Sequence, residues 1–262
     1  MAKNLFDLRG KVTVVTGGNS GIGLGFARGI ARQGGDLAIW ARSKDKNAAA
    51  QKELESLGAR VTTRQVDVTS EQEVAAAFDA LIADMGRVDC VFANSGMGPL
   101  PGIESTIDLP TEEYHKLMNL NLHGAYYTLR EGARHMVNRA KAGEPGGSLV
   151  QCGSLSMFLG LKGKAHYAAA KAAMGAVVRC LAVELGPYRI RANCIAPGYI
   201  KTGLTDSTQA DPVDKFFAST TPIPRVGYPA DFEGIAAYLA SDASSFHSGD
   251  TIVIDGAYLI SM

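Results

Sequence analysis

Lys11–Gly23 reads KVTVVTGGNSGIG, and this stretch decides the fold. Its first half, Lys11–Thr16, is a β-branched run closed by glycine, the pattern of a strand buried on both faces of a sheet. From Gly21 to Gln33 the pattern changes: Ile22, Phe26 and Ile30 recur at four-residue spacing, the period of one helix face. Between the two, Thr16–Gly23 places Gly17, Gly21 and Gly23 in the arrangement G-x-x-x-G-x-G. A strand turning through glycines into a helix aims backbone N–H groups and the positive helix end at one point, which suits a pyrophosphate. Asn19, Ser20 and Ile22 lie in the same turn and join the three glycines as candidate phosphate-binding residues. A glycine turn alone does not establish a nucleotide site, because ordinary strand-to-helix turns also use glycine.

Outward from this turn the alternation continues. Asp36–Ala41, Arg60–Val66, Asp89–Ala93, Ser148–Cys152, Arg189–Ile195 and Thr251–Ile254 read as further strands. Lys44–Leu57, Ser70–Met85, Thr111–Asn138, Ala165–Leu185 and Asp231–Ser241 read as helices, with Ser70 and Glu73 at capping-box spacing. The implied fold class is α/β: a doubly wound, mostly parallel seven-stranded sheet with helices on both faces. No linker divides the chain, so residues 1–262 are expected to form one domain. The proline-containing stretch Gly198–Ala230 is expected to be a flap over the site.

Composition narrows the function. The 262 residues carry 26 basic and 26 acidic side chains, and 46% are hydrophobic. Zero net charge argues against broad nucleic-acid binding, which needs a basic surface. Neither a membrane-length apolar run nor a secretory h-region is present, so a soluble, cytoplasmic protein is expected. Cys90, Cys152, Cys180 and Cys194 lie far apart in apolar runs without metal-ligand spacing, so buried reduced thiols and no metal are expected.

Strand ends carry the remaining cofactor signals. Ala41 occupies the position where an NAD-preferring fold usually places an acid for the ribose hydroxyls. Arg42 beside it, with Ser43, suits a 2′-phosphate, which favours NADP(H) and leaves NAD(H) open; a solvated loop arginine is the plain alternative. Asp67 and Val68 follow the third strand, where Asp67 suits an adenine amino group or a helix start. Asn94 and Gly96 follow the fourth.

The chemistry is suggested by Tyr167-Ala-Ala-Ala-Lys171, whose ends share one helix face. Free tyrosine ionises near pH 10, about three units too high for a base at neutral pH, and a neighbouring ammonium favours tyrosinate. Tyr167 then suits a general acid or base. Ser154 stands thirteen residues earlier, directly after the fifth strand, where a hydroxyl can stabilise a developing alkoxide.

Taken in order, Thr16–Gly23, Asn94-Ser95-Gly96, Asn121-Leu-His-Gly124, Ser154, Tyr167/Lys171, Pro197-Gly198 and Val253-Ile-Asp-Gly256 resemble the short-chain dehydrogenase/reductase family. The resemblance covers essentially the whole chain and implies a Rossmann-fold oxidoreductase. It implies that Tyr167 is the catalytic acid/base, that Lys171 binds the nicotinamide ribose and lowers the tyrosine pKa, and that Ser154 orients the substrate carbonyl. It gives Asn121 a role in a water relay to Lys171, and Pro197, Gly198, Ile200 and Thr202 the carboxamide end of nicotinamide. It also implies a homotetramer. Two positions depart from the pattern: Ser95 replaces the usual alanine, and Ser20 stands where many NADP-preferring members carry a basic residue.

The expected activity is hydride transfer between NAD(P)(H) and a small-molecule ketone or secondary alcohol. A 3-oxoacyl-thioester reductase and a sugar or polyol dehydrogenase remain open, as does a cofactor-binding regulator without turnover. His166 and His123 suit packing or solvent. Met97, Met157, Phe158 and Leu159 fit either an apolar substrate pocket or the core. Arg130, Arg134, Arg139 and Lys141 suit a solvated helix face better than an acyl-carrier docking patch.

Overall fold

The computed structural model describes residues 4–203, 205 and 210–262. Seven strands, β1 (Val12–Thr16), β2 (Asp36–Trp40), β3 (Val61–Arg64), β4 (Cys90–Ala93), β5 (Gly147–Cys152), β6 (Ile190–Pro197) and β7 (Thr251–Ile254), form one sheet. All pairs are parallel, in the order β3-β2-β1-β4-β5-β6-β7. The helices are α1 (Gly21–Arg32), α2 (Lys44–Ser56), α3 (Glu71–Met85), α4 (Thr111–Met118), α5 (Ala125–Lys141), α6 (Ala165–Leu185), α7 (Ala210–Thr220) and α8 (Glu233–Ala240). The strand order turns back between β1 and β4, which opens a crevice at the carboxyl ends of these strands.

Strand alternation builds two cores. Val12, Val14, Ala38 and Trp40 face α3, α5 and α6, whereas Val15, Leu37 and Ile39 face α1, α2 and α8. On the second side α1 approaches its neighbours at glycine. A Cβ on Gly25 would lie 2.1 Å from the Pro229 carbonyl oxygen, and one on Gly29 would lie 2.1 Å from that of Glu233. Contact this close fixes where the first turn of α1 points.

Beneath the sheet, Asp89 ties β4 to β1. It is only 5% exposed, and its carboxylate takes two 2.8 Å bonds from Arg87, one of 3.0 Å from the Val12 N–H, and a contact from Arg139. Burial alone would raise its pKa, but the Arg87 guanidinium, the Val12 N–H and the Arg139 charge together hold it below the usual carboxylate range. A depressed folded pKa stabilises above the unfolded value of about 4 and loses that effect as pH falls through the folded value. Asp89→Asn is therefore expected to lower unfolding stability by about 3 kcal/mol at neutral pH, because it leaves paired cations short of an anion. Urea melts at pH 7 and pH 3 check this: the gap between variant and wild type should narrow in acid.

Several elements differ from their sequence reading. Thr111–Asn138 is not one continuous helix: a π-wound turn, Asn119–Gly124, separates α4 from α5. Helix α7 lies inside the stretch read as irregular, since Pro212 sits in its first turn, where a missing N–H is tolerated. Residues 204 and 206–209 of the expected flap, and residues 1–3, lie outside the described residues. Ser70 caps α3 by accepting from the Glu73 N–H at 3.2 Å, but Glu73 reaches back to the Asp67 N–H (2.9 Å), so the capping box is open. Cys90, Cys152 and Cys194 are buried, whereas Cys180 is exposed on the outer face of α6. Burial pushes the Cys90 and Cys194 thiols up to about 12. No described helix is long and apolar enough to cross a membrane.

Candidate active site

The site is built where β1, β4, β5 and β6 end. Gly17 and Gly21 both adopt positive φ, 66° and 54°, so the β1–α1 turn needs glycine at these points. A Cβ on Gly23 would stand 2.4 Å from the Gly17 carbonyl oxygen and 2.5 Å from Asn94 Nδ2. Asn94 supports the turn from below, donating to the carbonyl oxygens of Thr16 (3.0 Å) and Gly17 (3.4 Å). Thr16 Oγ1 in return accepts from the N–H groups of Asn94 (3.0 Å) and Ser95 (3.1 Å). Thr16 opens the glycine turn in the sequence, but the role of its hydroxyl beneath that turn was not readable there, because a buried strand threonine looks like ordinary core.

The first turn of α1 contains no acidic residue, and Ser20 makes no side-chain cap, so its N–H groups are left without a side-chain acceptor, while the Ile22 side chain packs against the core beneath α1. That cradle fits a pyrophosphate. Thr202 lies against Gly21, whose Cβ would meet its methyl at 3.3 Å.

At the adenosine end, Arg42 is exposed and has no ion pair among the described residues. Asp67 accepts from the Thr69 N–H (3.0 Å) and hydroxyl (2.8 Å). These bonds, Thr69 N–H first, hold its carboxyl below the usual range, and the Arg42 charge adds to them. Ser43 caps α2 through the Lys46 N–H at 3.4 Å. Val68 is buried against Gly124 instead of presenting its side chain.

At the chemical end, Lys171 is 5% exposed, and its Nζ donates to the Cys152 carbonyl oxygen at 2.7 Å. The same ammonium stands 5.8 Å from the centroid of the Tyr167 ring. Tyr167 itself is half-buried. Asn121, in the π-wound turn and 1% exposed, accepts from the Met97 N–H and donates to the Met97 carbonyl, both at 2.8 Å. Its amide thus clamps the chain after β4. Gly96 fits between: a Cβ there would meet Asn121 Oδ1 at 3.0 Å and Lys171 Nζ at 3.7 Å. Ser154, half-buried two residues beyond Cys152, accepts from the Ser156 N–H at 3.2 Å, which fixes its hydroxyl oxygen at the strand end.

The structure brings Asn121, Gly96, Tyr167 and Lys171 together and places Ser154 on the same strand terminus as the Cys152 carbonyl. Pro197 closes β6, Gly198 packs on Asp255, and Ile200 is buried and bridged to Gly227. Met157 turns into the core: its sulfur lies 3.9 Å from Cys194 Sγ. His166 is 3% exposed and also packs inward. Arg130, Arg134 and Arg139 are each paired with Glu71, Glu131 or Asp89, which leaves no arginine patch for docking. A cavity of about 230 Å³ lies behind Tyr199 and Ile200, lined also by Arg225, Asp231 and Asp255. Arg225 and Asp231 are paired at 2.7 Å, and Asp255 accepts two backbone N–H groups, so its charges are satisfied without a ligand.

Comparison with known proteins gives the site its context. A family model described as enoyl-(acyl carrier protein) reductase matches residues 17–258. L-rhamnose 1-dehydrogenase (NAD(P)(+)) of Sphingomonas sp. (strain SKA58) is 31% identical over 97% of this chain and 98% of its own. The NADP-dependent (R)-specific alcohol dehydrogenase of Lentilactobacillus kefiri is 33% identical over 96% of this chain and 97% of its own. The crystal structure of a short-chain type dehydrogenase/reductase from Mycobacterium marinum superposes with a TM-score of 0.89 at 32% identity, covering 97% of each chain. Together with the parallel sheet, the glycine turn and the Tyr167/Lys171 pair, these matches place the chain in the short-chain dehydrogenase/reductase family, oxidoreductases acting on alcohol and carbonyl groups with NAD(P).

Proposed function

We propose that this chain is an NADP(H)-preferring reductase and dehydrogenase of a small-molecule ketone and its secondary alcohol. The observation that carries the reading is the buried Lys171 ammonium, anchored on the Cys152 carbonyl and facing the Tyr167 ring. A nicotinamide cofactor supplies or accepts the hydride. In reduction, the Tyr167 hydroxyl gives its proton to the carbonyl oxygen; in oxidation, it takes the alcohol proton back. Ser154, its oxygen fixed at the end of β5, donates to that same oxygen and stabilises charge there. Lys171 holds positive charge beside the phenol, and Asn121 fixes the chain that borders the nicotinamide ribose. A regulator without turnover has no need of this set.

The walls favour a substrate with an apolar part over a polyol. The loops after β4 and β5 meet where a Cβ on Gly163 would strike the Ile103 carbonyl oxygen at 2.0 Å. They expose Leu100, Phe158 and Leu161, and the carboxylate of Glu104 is paired with Lys162 at 3.3 Å. The α6 face with Ala169, Ala172, Ala176, Cys180 and Val183 stays exposed along its length, which supports a homotetramer built on this helix. Residues 1–262 act as one domain, with the described residues of the 198–230 segment bordering substrate.

NADP preference rests on Arg42, which has a 2′-phosphate as its only proposed anion. Arg42→Ala is expected to raise the Michaelis constant for NADPH about tenfold and leave that for NADH within about twofold, the loss of one charge-assisted contact. Steady-state kinetics with both cofactors check this. Equal effects on the two would return Arg42 to a solvated loop residue.

A further inference from the structure

We propose that Asn47 is a positioning residue whose buried amide fixes the glycine turn and the backbone of Arg42 in one geometry. The inference rests on the reading of Arg42 as the 2′-phosphate ligand, and it goes further by naming what holds that ligand in place. Asn47 lies in the first turns of α2 and is 3% exposed. Its Oδ1 accepts from Asn19 Nδ2 at 2.7 Å, so it reaches the β1–α1 turn. Its Nδ2 donates to the carbonyl oxygens of Ala41 (3.0 Å) and Arg64 (3.3 Å), so it also holds the ends of β2 and β3. One side chain thus joins the three elements that border the adenosine and pyrophosphate end of the crevice.

Arg42 is pinned at its backbone from both sides. Asn47 holds the carbonyl before it, and Gln65 Nε2 donates to its own carbonyl at 2.9 Å. Its guanidinium, by contrast, is exposed and has no ion pair among the described residues. A rigid backbone under a cation that has no ion pair among the described residues is the arrangement expected when the anion arrives with a ligand.

Packing does not explain an asparagine here. Asparagine is a poor helix former, so filling this space would not by itself call for one, and a buried amide is tolerated only where it is hydrogen-bonded. What the amide adds is one acceptor and two donations in a fixed orientation. Aspartate has the same shape but no donor, and would set a carboxylate oxygen against two carbonyls. Leucine keeps the volume and makes none of the bonds.

Asn47→Leu and Asn47→Asp, each alone and with Arg42→Ala, are compared by steady-state kinetics with NADPH and NADH and by thermal melting. Asn47→Leu is expected to raise the Michaelis constant about tenfold for NADPH and about threefold for NADH, with kcat within about twofold, because displacement affects binding at the phosphate end. In the Arg42→Ala background the extra loss specific to NADPH should vanish. Asn19→Ala, on a partly exposed side chain that folding tolerates, should reproduce the rise shared by both cofactors without changing their ratio. A folded Asn47→Leu protein with both constants within twofold of wild type, or Asn19→Ala without effect, overturns the proposal. If Arg42→Ala leaves the cofactor ratio unmoved, the Arg42 reading fails separately, and Asn47 stands or falls on the shared rise alone.

Discussion

Tyr167→Phe should reduce turnover about a thousandfold while leaving cofactor affinity intact, since positioned general acid–base catalysis contributes 10²–10⁴-fold. The substitution removes one oxygen and keeps the ring that lies beside Lys171 Nζ. Nothing in the fold depends on that oxygen, because the described hydrogen bonds of the site run through Lys171, Asn121 and Asn94. Melting temperature and NADPH titration should therefore match wild type, and only the chemical step should fall. Turnover within tenfold of wild type would take Tyr167 out of proton transfer.

Gly29→Ala should produce a large structural effect. Its new Cβ would sit 2.1 Å from a backbone oxygen of Glu233, where no side-chain rotation relieves the overlap. Helix α1 must move off α8, at about 3 kcal/mol for forced overpacking. In a domain of this size that lowers the melting temperature by about 6 °C. The displacement also turns the N-terminus of α1 away from the glycine turn, so cofactor affinity should fall together with stability. Gly186→Ala is the control: nothing lies within 4 Å of its Cβ, and it should change stability by under about 0.5 kcal/mol. Equal melting curves for the two variants would show that α1 and α8 are not held at this contact.

The sheet was legible because short continuous apolar runs alternate along the chain with segments of four-residue helical spacing. Val12–Thr16 and Asp36–Trp40 are apolar on both faces, as strands covered by helices on both sides must be. The site was legible for a related reason: its parts hang on strand ends, so finding the strands located Asn94, Ser154 and Pro197. The π-wound turn was not readable, because inserting it preserves apolar spacing on either side of Asn119–Gly124. Two asparagines and a glycine in mid-helix were the available signal. Helix α7 was masked by Pro212, which the first turn of a helix accepts.

Asn47 was invisible for a different reason. Its partners Asn19, Ala41 and Arg64 are local in space but belong to three separate elements, and only the assembled sheet edge brings them to one amide. Met157 was equally ambiguous as pocket or core until Cys194 and Gly175 were seen packed around its thioether. Exposure of Cys180 was likewise not readable, since α6 is apolar on nearly every face and its outward stripe resembles its inward one.

Absorbance at the reduced-nicotinamide band tests hydride transfer between the cofactor and a carbonyl substrate most directly. The wild-type protein is mixed with NADPH or NADH and a panel of ketones bearing apolar groups, and the reverse reaction is run with the matching alcohols. Loss of reduced cofactor in step with alcohol formed, faster with NADPH, is the expected result. Tight cofactor binding with no absorbance change against any carbonyl or alcohol would contradict it.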